Sequence, residues 1–193
     1  MLQDRKVVKF TSPLPPSVNH YLSKRVAFSN GKPYVQVYES AEAKAYKKYM
    51  RKVLKRALEE YSWEKTGEFI YIICEMEIFL SQKHRDADNL QKCLLDSINE
   101  NNIVYDDSMI IPRVTDIFID TENPRIEVTI YLSEKKGVFK NEEQYIGFVR
   151  FNCSSCTRAN RNCSIMRKTL ENRITKEINV QANTCSAYKK RKE

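Results

Sequence analysis

Within the stretch "HRDADNLQKCLLDSINENNIVYDD", which runs from His84 to Asp107, Asp86, Asp88, Asp96 and the pair Asp106-Asp107 surround one lysine, Lys92. Leu90, Leu94 and Ile98 stand four apart and mark the core face of a helix. Asp88, Lys92 and Asp96 also stand four apart and form a separate polar stripe. An Asp–Lys–Asp ladder, contributing roughly a few tenths of a kcal/mol per pair, accounts for that stripe. Asp86 stands where a helix N-cap belongs, which is its plainest structural role. Neither accounts for the repeated acid of Asp86-x-Asp88 together with Asp106-Asp107. The connection "ENNIVYDD" is short enough to return the chain beside the helix, and two acidic pairs brought together repel unless a cation lies between them. Such carboxylates make a hard oxygen site suited to Mg²⁺ or Mn²⁺. A lysine one turn beyond Asp88 then stands where it can stabilise negative charge developing on a phosphorus centre. On the residues alone, the ladder and the metal site both remain open.

Elements that would position these groups lie on either side. "KVVKFTS" from Lys6, "KPYVQVYES" from Lys32, "EFIYIICEMEIFL" from Glu68, "MIIPRVTDIFID" from Met109 and "RIEVTIYL" from Arg125 have the β-branched and alternating character of strands. The third is expected to be central. "PLPPSVNHYL" is a proline-stiffened connection, and Asn123-Pro124 marks a turn. Ala41 to Tyr61 carries one apolar helical face, and Asp86 to Asn101 forms the second main helix. Few strands and two unequal helices, without regular βαβ alternation, predict an α+β fold with a small mixed sheet.

The composition is that of a globular chain with no apolar run long enough to span a bilayer, so no membrane partner is expected. The first ten residues lack the apolar segment of a secretion signal, and the expected location is cytoplasmic. Charge is uneven. Met1 to Lys135 holds 20 Lys and Arg against 20 Asp and Glu, whereas Lys136 to Glu193 holds 13 against 5, so the whole excess of +8 lies in the last third. Such a block points to an anionic partner, most simply nucleic acid, the alternative being a solvated tail. Three parts are expected: a domain over 1–135, a polar linker over 136–148, and a basic, cysteine-rich module over 149–193.

In that last part Cys153-x-x-Cys156 is followed by Cys163 and Cys185. In a reducing compartment four thiolates are more readily a Zn²⁺ site than a disulfide framework, and a segment poor in large apolar residues needs a staple. The spacing is not that of a standard zinc ribbon, and reduced free cysteines are the alternative. Cys74 and Cys93 are expected to be buried small apolar residues. The helix after the cysteines is predicted from Met166, Leu170, Ile174 and Ile178, and "YKKRKE" is predicted to be disordered. His84 is assigned to a solvated loop.

The order Arg85-Asp86-Ala87-Asp88-Asn89-Leu90-Gln91-Lys92, with Asp96 and then Asp106-Asp107, resembles the signature of the RusA-type Holliday-junction resolvases. "PLPPSVNHY" resembles the segment with which those proteins begin, and the resemblance covers about residues 7 to 132. It implies a small dimeric α+β endonuclease that uses Mg²⁺ to nick opposed strands of a four-way DNA junction in recombination and repair. It implies Asp86, Asp88 and Asp107 as metal ligands, with Asp106 an alternative ligand or support, Lys92 as the catalytic lysine, and Arg85 and Asn89 as substrate-facing. It also suggests a prophage setting. Asp96 is assigned to the helix ladder rather than to the metal. The cysteine-rich part departs from the family pattern. Two other readings stand beside this one: a non-catalytic nucleic-acid-binding protein that retains the fold, and a metal-dependent nuclease acting on flaps or RNA.

Overall fold

The computed structural model describes residues 6–83, 85–159 and 162–191; His84 and the last two residues of the basic tail lie outside them. The chain divides into two units. One comprises the residues up to Thr66 with Ile72–Leu132, and the other Gly67–Tyr71 with the residues from Ser133 onward.

The first unit runs β1 (Val7–Pro13), α1 (Val18–Tyr21), β2 (Leu22–Ser29), β3 (Lys32–Glu39) and α2 (Ala41–Glu60). It continues with β4 (Ile72–Leu80), α3 (Gln91–Glu100), β5 (Ile110–Ile119) and β6 (Arg125–Leu132). Four strands form one sheet in the order β1-β6-β4-β5. β6 is antiparallel to β1 and β4, while β4 is parallel to β5, so the sheet is mixed and the fold α+β. Register explains the core. Val8, Ile130 and Cys74 lie in one row, Phe10, Val128 and Met76 in the next, and Ser12, Ile126 and Ile78 in a third. All nine are buried, and the residues between them, such as Lys9, Glu77 and Glu127, point to the opposite, polar face.

The side chain of Ser40 caps α2 by accepting from the N–H of Ala43 at 3.1 Å. Ala43, Tyr46, Met50, Leu54 and Ala57 then recur at helical spacing and are buried, and the helix packs against β1 and α3. A buried hydrogen bond of 2.6 Å joins Tyr46 Oη to Ser12 Oγ and ties α2 to the sheet.

The predicted strands are present, and one further strand, β2, pairs with β3. Asn30 and Gly31 close that hairpin at φ 51° and 75°, the left-handed pair that a two-residue turn requires. The second main helix starts later than expected. A 3₁₀ turn over Asp88–Leu90 precedes α3, and Asp86 lies before both rather than at an N-cap. Ala87 and Leu90 precede the two helical segments with right-handed helical backbone and no side-chain cap, so the chain winds in gradually.

In the second unit lie α4 (Glu142–Asn152), α5 (Ser164–Leu170), β7 (Ile178–Asn179) and β8 (Thr184–Cys185). The stretch 136–148, expected as a linker, is instead built into this unit. Phe139 and Phe148 are fully buried and in contact, and α4 begins within the stretch. Gly137 sits at φ 58°, where a Cβ would stand 2.1 Å from the carbonyl oxygen of Thr169, so close packing explains the glycine that reads as flexibility in sequence. The predicted helix through Ile174 and Ile178 ends at Leu170. Asn172 follows at φ 62°, a left-handed stop, and leaves Ile174 95% exposed. Residues 188–191 are ordered by bonds rather than loose: the N–H of Thr157 donates to Lys189 O, that of Arg191 donates to Ser155 O, and Tyr188 Oη pairs with Ser155 Oγ. Among the described residues no helix is long and apolar enough to cross a membrane.

Candidate active site

Asp88 lies on the 3₁₀ turn, Lys92 in the first turn of α3, and Asp107 on a second 3₁₀ turn, Asp107–Met109, that packs beside α3. The returning connection therefore brings the second acidic pair to the helix, as its length predicts. Burial anchors both sides: Leu90, Leu94 and Ile98 below the helix, and Ile103, Val104 and Met109 along the return. Asp86, Asp88, Lys92, Asp106 and Asp107 remain exposed.

Local bonds orient some of these groups. Asn89 donates through Nδ2 to Asp86 Oδ2 at 3.2 Å and through its N–H to Asp88 Oδ1 at 3.0 Å, so it supports both carboxylates. Asp106 caps the second 3₁₀ turn. The hydroxyl and N–H of Ser108 both donate to its Oδ1 and hold its carboxyl below the usual carboxylate range. An acid engaged in this way supports the turn, while both members of the pair stay exposed. Among the described residues Asp86, Asp88 and Asp107 make no salt bridge with a lysine or arginine, and no three His, Cys, Asp or Glu side chains stand in an arrangement that could hold a metal ion.

Lys92 donates to Asp96 Oδ1 at 2.6 Å, the i,i+4 pair expected from the stripe. Asp96 is turned inward, and its other oxygen accepts from the Tyr21 hydroxyl at 2.6 Å. Beyond Tyr21 stands a further ion network. Glu39 Oε1 lies 3.2 Å from the same hydroxyl, and Lys47, buried on α2, bonds both Glu39 and Glu100. Burial alone would favour neutral Lys47, but the two glutamates outweigh it and raise its pKa. Lys47 in turn holds the Glu39 carboxyl below its ordinary value, against the opposing effect of burial. Burial and the Asp96 carboxylate raise the Tyr21 pKa, so the hydroxyl stays a proton donor. Four elements thus meet behind the lysine: α1, β3, α2 and α3.

Tyr21, Glu39, Lys47 and Glu100 are the site-supporting residues that sequence reasoning missed. Tyr21 ends the "PPSVNHY" segment and was within reach of that resemblance, whereas the other three belong to no motif. Arg85 is half-buried just before Asp86, and among the described residues no side-chain hydrogen bond defines its role.

The sequence model of endodeoxyribonuclease RusA matches residues 13–131, which span the whole constellation from the proline-rich segment to β6. The match extends over more than half of the chain, and the chain belongs to the RusA endodeoxyribonuclease family. Membership carries with it nuclease activity and branched DNA as the class of substrate. A comparison with curated proteins found no match.

The four cysteines of the second unit lie outside that match. Burial pushes the Cys153 thiol up to about 11, with Cys156, Cys163 and Cys185 near enough to add to the shift. Cys74 and Cys93 are fully buried, as expected, and burial raises each thiol to about 12.

Proposed function

We propose that this chain is a Mg²⁺-dependent, structure-selective endodeoxyribonuclease that resolves four-way DNA junctions by paired phosphodiester hydrolysis. The observation that carries the reading is the set of three exposed carboxylates, Asp86, Asp88 and Asp107, without basic partners among the described residues, beside a lysine in a family of DNA nucleases. Hard, uncompensated oxygens fit Mg²⁺, with Mn²⁺ as a substitute. These three residues would hold the ion, and when bound it would supply an activated water and offset charge on the phosphate.

The chain's own groups do the rest. Lys92 has three N–H donors, of which the Asp96 bond uses one, so its ammonium can still face a phosphate oxygen. Asp96, held by Tyr21, limits where that ammonium can swing. Asn89 keeps the Asp86 and Asp88 carboxylates oriented, and Arg85 would contact the DNA backbone. Two opposed cuts need two sites, so the acting species is a twofold homodimer. The setting implied is recombination and repair of DNA, and the +8 charge excess of the last third supports added phosphate contacts.

A second reading, DNA binding without cleavage, is favoured by one observation: the carboxylates do not converge on a ligating point. Both are tested on a labelled immobile junction and a linear duplex of equal length, in Mg²⁺ and in EDTA. Paired nicks confined to the junction, dependent on Mg²⁺ and reduced at least about a thousandfold in Asp88→Asn, are expected. Tight, salt-sensitive binding with no cleavage in Mg²⁺ or Mn²⁺ would leave only the second reading.

A further inference from the structure

In the second unit three separate backbone segments carry cysteines to one place. Cys153 and Cys156 come from the turn after α4, Cys163 immediately precedes α5, and Cys185 closes β8. All four line a single small cavity of about 20 Å³. Two arrangements fix their backbones. Asn152, 7% exposed and adjacent to Cys153, accepts from the N–H of Cys185 at 3.1 Å and donates to Asn183 O at 3.1 Å, which ties β8 to the end of α4. The N–H of Cys156 donates to Cys153 O at 3.1 Å and that of Ala159 donates to Cys156 O at 3.2 Å, which closes the turn that carries both thiols.

The unit also needs a staple. Tyr71, Phe139 and Phe148 are its large apolar side chains under a tenth exposed among the described residues, while Phe151 and Ile174 face solvent. So small a core does not by itself offset the ordering of such a segment.

We infer that Cys153, Cys156, Cys163 and Cys185 together hold one structural Zn²⁺ as four thiolates. The sulfurs share the cavity without yet standing at bonding positions, and binding draws them inward as four protons pass to solvent. Four protein sulfurs close a tetrahedral site and leave no position for a water, so the metal is structural rather than catalytic. Four thiolates favour Zn²⁺ or an iron centre, and of these Zn²⁺ is the ion whose role is structural without redox chemistry. Arg158 lines the same cavity and offsets the excess negative charge of such a centre. This site is independent of the nuclease reading.

The test is the metal content of the untagged full chain, purified from zinc-containing medium and analysed by plasma mass spectrometry. About one zinc per chain is expected, released by a mercurial reagent, retained in Cys74→Ala/Cys93→Ala and lost in Cys163→Ser and in Cys185→Ser. A wild-type chain without zinc would overturn the inference whatever the variants do. Iron with visible absorption would overturn it too, as would an alkylated mass showing two disulfides.

Discussion

Lys92 is exposed, yet it is not a loose cation. Its partner Asp96 is only 19% exposed on the side chain and is gripped from behind by Tyr21, so the position of the ammonium is set by a hydroxyl that never needs to touch DNA. Tyr21→Phe leaves the ring in place and frees one Asp96 oxygen. If the ammonium acts on the phosphate, single-turnover cleavage of the junction should fall about tenfold, or ~1.4 kcal/mol, with KM unchanged. The loss of one part-buried hydrogen bond should cost about 1 kcal/mol of stability. A variant equally destabilised but fully active would limit Tyr21 to a structural role. Asp88→Asn belongs to a different class: it removes one oxygen of the proposed metal site and should abolish turnover with little change in folding.

α1, β3, α2 and α3 are joined through charge as well as apolar packing, and this makes the assembly sensitive to acid. Lys47 holds the Glu39 carboxyl below its ordinary range, so the folded chain binds fewer protons there than the unfolded chain. The stability this adds is complete above the unfolded value of about 4.3 and is lost as the pH falls through the lower, folded value. Chemical denaturation between pH 6 and pH 3 should therefore show a steeper loss for wild type than for Glu39→Gln. Equal slopes would remove the Lys47–Glu39 pair from the acid response. The neighbouring hairpin of β2 and β3 has no such interior, since Val26, Phe28 and Val35 lie on exposed strands.

A chain that cuts a junction symmetrically must present two sites, and the proposed dimer needs a surface. β5 is an edge of the sheet, with Ile117 and Ile119 half-exposed on the face that elsewhere carries the core. An apolar edge strand left uncovered invites pairing with another chain. Light scattering after gel filtration should give twice the 22.7 kDa of one chain, and Ile119→Glu should give monomers that no longer make paired nicks. A monomeric wild type that still cuts both strands would exclude the dimer, and a dimer that survives Ile119→Glu would move its interface away from β5. The second unit is the basic end of the molecule, and its buried Phe139 and Phe148 make it a folded body rather than a charged tail.

Alternation along β1, β4 and β6, the helical spacing on α2 and the acidic stripe of α3 were determined by the sequence itself, because each is a period set by residues a few positions apart. The same locality made the Asp86, Asp88, Lys92 and Asp107 constellation legible as a candidate site, and the chain's length between helix and acidic pair implied their approach. Three features were decided only by tertiary structure. Asp96 meets a tyrosine from residue 21, Lys47 meets Glu100 across another helix, and Cys185 shares a cavity with cysteines from two other segments. Gly137 and its neighbours read as a linker because nothing nearby in sequence shows that Thr169 presses on the backbone there. Contacts between distant residues have no period to betray them, since they follow from how strands register and helices settle on the sheet.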